Sequence, residues 1–267
     1  MADVIISDLH LEMNGNYHEF EITSRAPNLA LLGDIGNMAL HTDEYLDFLT
    51  AQLKQFERVF LVCGNHESYQ GTWEKTLRTF HEFERSVWPR SDLGDFILLD
   101  RNAYRIPDTQ TVILGCSLFS FLPPLYMDKC RQSINDFHKI QGWTPKAHNQ
   151  AHKRDLAWLN DQVRQRDGTD DKIMILTHWC PTSSEKAADV RHANSPRSYA
   201  FRSDLSGQTC FQSGNVKLWA FGHTHYNCDF SVERHGNAEP LRLLSNQQGY
   251  QYHGISQCAG RRMSFAN

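Results

Sequence analysis

The stretch RVFLVCGNHE, residues 58–67, decides how the chain is read. From Val59 to Cys63 it is apolar without a break; Gly64 follows, and the run then turns to Asn65, His66 and Glu67. A strand with one solvated face alternates apolar and polar side chains with a period of two, so an unbroken run belongs to a strand covered on both faces, by helices or by a second sheet.

Similar short runs recur along the sequence: VIIS (4–7), NLALLG (28–33), FILL (96–99), TVILGC (111–116), KIMILT (172–177), VKLWAF (216–221) and PLRLL (240–244). Helical spacing fills the intervals. Residues 43–57 place Leu46, Leu49, Leu53 and Phe56 on one stripe, and residues 72–87 do the same with Trp73, Leu77, Phe80 and Val87. A third helix starts where Thr144 caps and Pro145 takes the first helical position, and its stripe is Leu156, Leu159 and Val163; His152 lies on that stripe and reads as buried support. Strand, strand, helix, strand, helix favours a layered α/β fold. The segments 117–143 and 181–210 fit neither period, and long connections after apolar strands are usually functional loops, so both read as cap-like loops over a site.

At 267 residues the chain is near the upper limit for one core, and a single domain spanning 1–267 is expected. A net charge of -4 offers no basic field for nucleic acid or membrane surfaces. No apolar run approaches the roughly 20 residues of a membrane span, and the start, MADVIISDLH, runs directly into a strand with no signal-like segment. The seven cysteines are scattered and never form a CxxC pair, which suits reduced thiols in a cytoplasmic protein.

The polar residues after the strands form a pattern. Asp8 and His10 follow the first run; Asp34 follows the second; Asn65 and His66 follow the third; His178 follows KIMILT, and His223 with His225 follow VKLWAF. Taken singly, an Asp or Asn after a strand is a turn former and a buried His a hydrogen-bonded core residue. Together they fit the crevice beyond the carboxyl ends of strands, where open α/β sheets bind ligands. Nitrogen and oxygen donors without thiolate suit Mn, Fe or Zn. Asp8, His10, Asp34, Asn65, His178, His223 and His225 exceed what one ion needs but suit two ions sharing a carboxylate, for which Asp34 is the candidate.

The motifs SDLH (7–10), GDIGN (33–37), GNHE (64–67), THWCP (177–181) and GHTH (222–225), in that order, resemble the signature set of the calcineurin-like metallophosphoesterases. SINDFHKI, WTPKAHNQAHKRDLAWL, SYAFRSDL and LLSNQQGY resemble a bacterial and fungal branch of that family, so the likeness spans almost the whole chain. The resemblance implies a two-sheet β-sandwich flanked by helices with both metals at the sheet edge. It implies Asp8, His10, Asp34 and His225 on one ion and Asp34, Asn65, His178 and His223 on the other. His66 would protonate the leaving oxygen or stabilise the transition state; its plainer reading is a structural histidine bonded to a backbone carbonyl.

The departures narrow the substrate. Where the Ser/Thr protein phosphatases read GDYVDRG this chain reads GDIGNMA, so the arginine is missing and Asn37 stands in place of an acid. Gln248 occupies a position where the branch more often carries arginine. Arg191, Arg197 and Arg202 are candidate grips on the substrate, or simply charges on a solvated loop, and the NDF at 135–137 is a candidate approach to the site. The expectation is a dinuclear phosphoesterase that cleaves a small phosphomonoester or phosphodiester with a metal-bridged hydroxide. Nuclease action, weakened by the acidic balance, and a non-catalytic scaffold on the same fold are the alternatives.

Overall fold

The computed structural model describes residues 2–13, 15–189, 195–236, 238–250 and 263–264, with Ala2, Asp3, Met263 and Ser264 as backbone only. Its strands are β1 (Ala2–Ile6), β2 (Asn28–Leu31), β3 (Arg58–Leu61), β4 (Asp95–Leu98), β5 (Asn102–Arg105), β6 (Thr111–Cys116), β7 (Lys172–Thr177), β8 (Val216–Ala220), β9 (Cys228–Val232), β10 (Leu241–Ser245) and β11 (Met263–Ser264). They form a five-stranded sheet, β11-β1-β2-β3-β4, and a six-stranded sheet, β5-β6-β7-β8-β10-β9. The neighbours from β1 to β4 and from β6 through β7 and β8 to β10 are parallel, and β11, β5 and β9 add antiparallel edges.

The unbroken apolar runs are explained by two cores. Ile5, Ala30, Leu32, Phe60, Val62 and Ile97 from one sheet meet Ile113, Met174, Leu176, Leu218, Ala220 and Leu244 from the other, so one face of every central strand packs sheet on sheet. The alternate residues, among them Leu29, Leu31, Val59, Leu61, Leu114, Ile175 and Trp219, turn outward into a larger cluster shared with the helices. Those helices are α1 (Thr42–Leu53), α2 (Trp73–Val87) and α5 (Pro145–Arg164). The side chain of Thr72 accepts from Lys75 N at the start of α2, and Thr144 accepts from Ala147 N at the start of α5 with Pro145 in the first turn. The buried side of α1 also holds Tyr45 and Phe48, a wider stripe than the leucines alone suggest.

Residues 117–143 are not irregular throughout. They contain a 3-10 turn (Pro124–Tyr126) and the short helices α3 (Met127–Ser133) and α4 (Asp136–Lys139). Leu122, Cys130 and Ile134 of this segment make a small core with Ala200 of the second cap segment, edged by Tyr126, Met127, Phe137 and Phe201. The described parts of the two segments are therefore packed on each other. The short helix α6 (Thr209–Gln212) closes the second.

Parallel strands put their carboxyl ends on one edge. Ser7 forms a parallel bridge with Gln247, and Ser7 N donates to Asn246 O at 3.0 Å, which joins the two sheets at that edge. The loops that leave β1, β2, β3, β7 and β8 emerge there together.

Candidate active site

The strand-end loops turn sharply and at a conformational cost. Asp8, His10, Asp34, His223 and His225 have φ of 54°, 49°, 52°, 69° and 50°, a left-handed region that non-glycine residues seldom occupy and that costs about 1–3 kcal/mol each when imposed. Backbone bonds hold the turns: Asp8 N donates to Gly33 O (3.0 Å), His10 N to Asp34 O (3.0 Å), Gly222 N to His178 O (2.9 Å) and Gly249 N to Asp8 O (3.0 Å). Five of the ten described non-glycine residues with left-handed φ are expected ligand positions, a clustering that suits a binding site.

The glycines before these residues make room for them. A Cβ at Gly64 would lie 2.3 Å from Asp34 Oδ1 and 2.7 Å from His178 Cε1, and one at Gly33, where φ is +84°, would lie 2.5 Å from His178 Nδ1.

All seven expected ligands are brought to this edge, in two groups that share Asp34. In the first, Asp8, His10, Asp34 and His225 each offer a donor atom within 4.8 Å of the others. His225 Nε2 is 3.1 Å from His10 Nε2 and 3.2 Å from Asp8 Oδ1. In the second, Asp34, His178 and His223 meet the same criterion, and Asn65 joins them. His178 Nε2 lies 3.1 Å from His223 Nδ1, 3.2 Å from Asn65 Oδ1 and 3.5 Å from Asp34 Oδ1.

Surrounding groups set the direction of these lone pairs. His178 donates through Nδ1 to Leu32 O at 2.7 Å, which leaves Nε2 as the inward atom. Asn65 Nδ2 donates to Tyr69 OH and to Asp136 Oδ1, each at 2.9 Å, so its carbonyl oxygen faces His178. Asp136 belongs to the NDF stretch, whose approach to the site the sequence suggests. Glu67 accepts from Gly64 N (2.8 Å), Asp34 N (3.0 Å), Ile35 N (2.8 Å) and Tyr45 OH (2.9 Å), fixing the loops that present Asp34 and Asn65.

The electrostatics are those of a cation site. Burial works to raise the Asp8 carboxyl, but the bond and charge of His225 outweigh it and hold it down at about 2. Asp34 is likewise buried, and His178 and His66 keep it well below the usual range. His223 is pushed well down, first by burial and then by the neighbouring His178. Burial works to lower the His178 imidazole, but the charge and bond of Asp34 outweigh it and raise it to about 9. The buried carboxylates thus draw positive charge to this place, and oxygen and imidazole donors converging there fit divalent metal. No thiolate takes part; the six described cysteines are free, and Cys258 lies outside the described residues.

His66 sits beside both groups. Its backbone N donates to Asp34 Oδ1 at 2.8 Å, its Nε2 is 4.0 Å from Asp34 Oδ2 and 3.1 Å from Tyr250 OH, and its Nδ1 meets Glu12 Oε1 at 2.8 Å rather than a backbone carbonyl. Burial lowers its pKa, but the carboxylates of Asp34 and Glu12 raise it above the ordinary value overall.

A cavity of about 440 Å³ opens over these residues. Its floor includes Asp34, Asn65, His66, His223 and His225, and its walls come from both cap segments, with Ile134, Asp136, Asp189, Arg197 and Phe201. Arg202 also borders it, but is buried and bonds Ser183 O and Ser184 O, each at 3.3 Å. The Arg197 side chain is exposed at the cavity wall, and Arg191 lies outside the described residues. Gln248 is not among the lining residues. His152 is buried and directs Nδ1 to Leu118 O at 3.2 Å, a supporting role as expected. Glu12, Tyr69 and Tyr250 escaped the sequence reading. For Glu12 the signal was its place two residues after His10, on the turn that follows a ligand loop.

Residues 4–227 match the family described as calcineurin-like phosphoesterase. No curated protein sequence matches the chain. Among solved structures, a phosphopantetheinyl hydrolase from Mycobacterium tuberculosis is similar at a TM-score of 0.63 and 15% identity, over 93% of this chain and 89% of that one. A dimetal phosphatase from Danio rerio is similar at a TM-score of 0.51 and 13% identity, over 92% of this chain and 86% of that one. At such identities the likeness is one of fold.

Proposed function

Because the chain belongs to the calcineurin-like phosphoesterase family and is thus a metal-dependent phosphoric ester hydrolase, we propose that it is a dinuclear enzyme acting on a small phosphomonoester or phosphodiester. The observation that carries this reading is the pair of donor groups meeting at Asp34 on the floor of one cavity. Asp8, His10, Asp34 and His225 would hold one divalent ion, and Asp34, Asn65, His178 and His223 the other, with Mn, Fe or Zn suited to such donors. Bound there, the ions would acidify a water held between them to give hydroxide near neutral pH and would neutralise phosphoryl charge.

The chain's own residues supply the rest. His66 holds a proton at Nε2 for the leaving oxygen, which takes it as the P–O bond breaks, and the raised pKa of this imidazole suits a donor working near neutral pH. Asp136 and Tyr69 orient Asn65, and Glu67 keeps the loops of Asp34 and Asn65 in register. Arg197 reaches the cavity wall as a cation able to pair with a phosphoryl oxygen or a second anionic group of the substrate. The enclosed volume of about 440 Å³ favours a small ester over a polymer, as does the acidic net charge of -4. The whole chain acts as one domain in this reading. Among the described residues no helix is long and apolar enough to cross a membrane, and the free cysteines accord with a cytoplasmic setting.

The test is turnover of p-nitrophenyl phosphate and bis(p-nitrophenyl) phosphate with Mn, Fe or Zn, alongside metal content, for wild type and Asp34→Asn. Wild type should turn over at least one ester with two equivalents of metal, and D34N should lose both turnover and metal. A wild type inactive on both esters with every metal would return the chain to a scaffold reading, and D34N with full metal and rate would refute the shared carboxylate.

A further inference from the structure

Glu12 follows His10 by two residues, on the 3-10 turn Leu11–Met13, and its carboxylate is turned inward with 11% side-chain exposure. One oxygen serves two rings: Oε1 is 2.8 Å from His66 Nδ1 and 3.3 Å from His10 Nδ1. Oε2 is buried with no hydrogen-bond partner among the described residues, so the group forgoes solvation on that side. The two imidazoles it joins pack edge to face with centroids 4.4 Å apart. A carboxylate that accepts at Nδ1 keeps the proton there, fixes the ring plane and leaves Nε2 as the working atom. For His66 that atom points away from Glu12, toward Tyr250 OH and Asp34. Asn37, the other side chain the sequence brings to mind for this task, is committed elsewhere. Its Nδ2 donates to Tyr69 O and its Oδ1 accepts from Leu40 N, each at 2.9 Å.

We propose that Glu12 is the positioning residue of His66, holding its ring so that Nε2 faces the leaving oxygen of the bound ester. The proposal rests on the reading of His66 as the proton donor. Glu12 also belongs to a third group of nearby donors, His10, Glu12 and His66, so a metal-binding role is the rival explanation, and metal content separates the two.

The experiment uses zinc-loaded wild type, Glu12→Gln, His66→Ala and the double variant, with p-nitrophenyl phosphate and phenyl phosphate as substrates and melting temperature as the check on folding. E12Q should keep the wild-type metal content and a KM within about twofold, while kcat falls by about 10–100-fold, the range usual for a partner that orients an active group. The fall should be larger for phenyl phosphate, whose more basic leaving oxygen needs the proton more. In the H66A background E12Q should change kcat by less than about twofold, since residues acting as a unit are not additive. Glu12→Asp, which keeps the charge one methylene short, should recover part of the rate and covers the case in which E12Q does not fold.

A readout independent of turnover is the Nδ1–H signal of His66 in long-range proton–nitrogen correlation spectra, far downfield in wild type and moved upfield or broadened in E12Q, whose neutral amide oxygen is the weaker acceptor. A wild type with that signal but no activity would strike the hydrolase reading and uphold the pairing. Loss of metal in E12Q, an equal loss of rate with and without His66, or an unchanged kcat would each overturn the proposal.

Discussion

The substitution Gly64→Ala adds one methyl group at the point where the loop after β3 passes the shared carboxylate. That methyl would lie 2.3 Å from Asp34 Oδ1, 2.7 Å from Asp34 N and 2.7 Å from His178 Cε1. Ordinary contact is about 3.5 Å, so Asp34 must retreat by about 1 Å, and the His178 ring must yield with it. Gly64 has no left-handed φ, so its backbone accommodates alanine and the damage is confined to the crowding. Overpacking of this kind costs about 1–3 kcal/mol, and replacing glycine by alanine returns up to about 1 kcal/mol through the unfolded chain. The net loss of about 0–3 kcal/mol would lower Tm by no more than about 12 °C in a chain of this length. Function should suffer far more, because a displacement of about 1 Å at a catalytic group costs about 100-fold in rate. The assay is metal content, kcat with p-nitrophenyl phosphate, and Tm, measured beside Gly207→Ala, where an added Cβ meets nothing within 4 Å. G207A should match wild type in metal content and kcat, with Tm unchanged or raised by up to about 4 °C. G64A with full metal and wild-type kcat would refute the claim that this glycine exists to seat Asp34.

Arg197→Ala removes an exposed guanidinium from the cavity wall and should raise KM by about 10-fold with kcat within about twofold, as expected of a charged hydrogen bond lost from binding alone. An unchanged KM would return Arg197 to the solvated surface. His148 predicts a pH dependence of stability. Burial above all, with the neighbouring His152 adding to it, lowers its pKa to about 3 from an ordinary value of 6.5. A folded-state pKa below the unfolded one gives stability that is complete above pH 6.5 and is lost as pH falls from there toward about 3. Between pH 6.5 and 4.5 this group alone removes about 2–3 kcal/mol. Urea unfolding at both pH values should show His148→Gln losing less stability than wild type over that interval, and equal losses would contradict the assignment.

The strands buried on both faces were legible because continuous apolarity survives in sequence, and β6 and β7 have the bounds the pattern suggests. The antiparallel edge strands were not. β5 and β9 alternate in exposure and fall outside the unbroken apolar runs, and β11 is only two residues long. The proposed ligand positions could be picked out because each follows its strand closely, so local sequence places it at the shared edge. Of the groups that orient them, the sequence pointed only to Asp136, through the NDF stretch, and not to its partner. Glu12 reaches His66 across 54 residues, Asp136 reaches Asn65 across 71 and Tyr250 reaches His66 across 184, separations closed only by the packing of the sheets and caps. The helices α3 and α4 escaped because each is short and buries few residues, which leaves no period to detect.

Two cations meeting at Asp34 underlie every proposed role, and anomalous scattering from crystals of the manganese-loaded protein would locate them. Two peaks about 3.5–4 Å apart are expected, flanking the Asp34 carboxylate, one against Asp8, His10 and His225 and the other against Asn65, His178 and His223. A single peak, or peaks remote from Asp34, would contradict that arrangement.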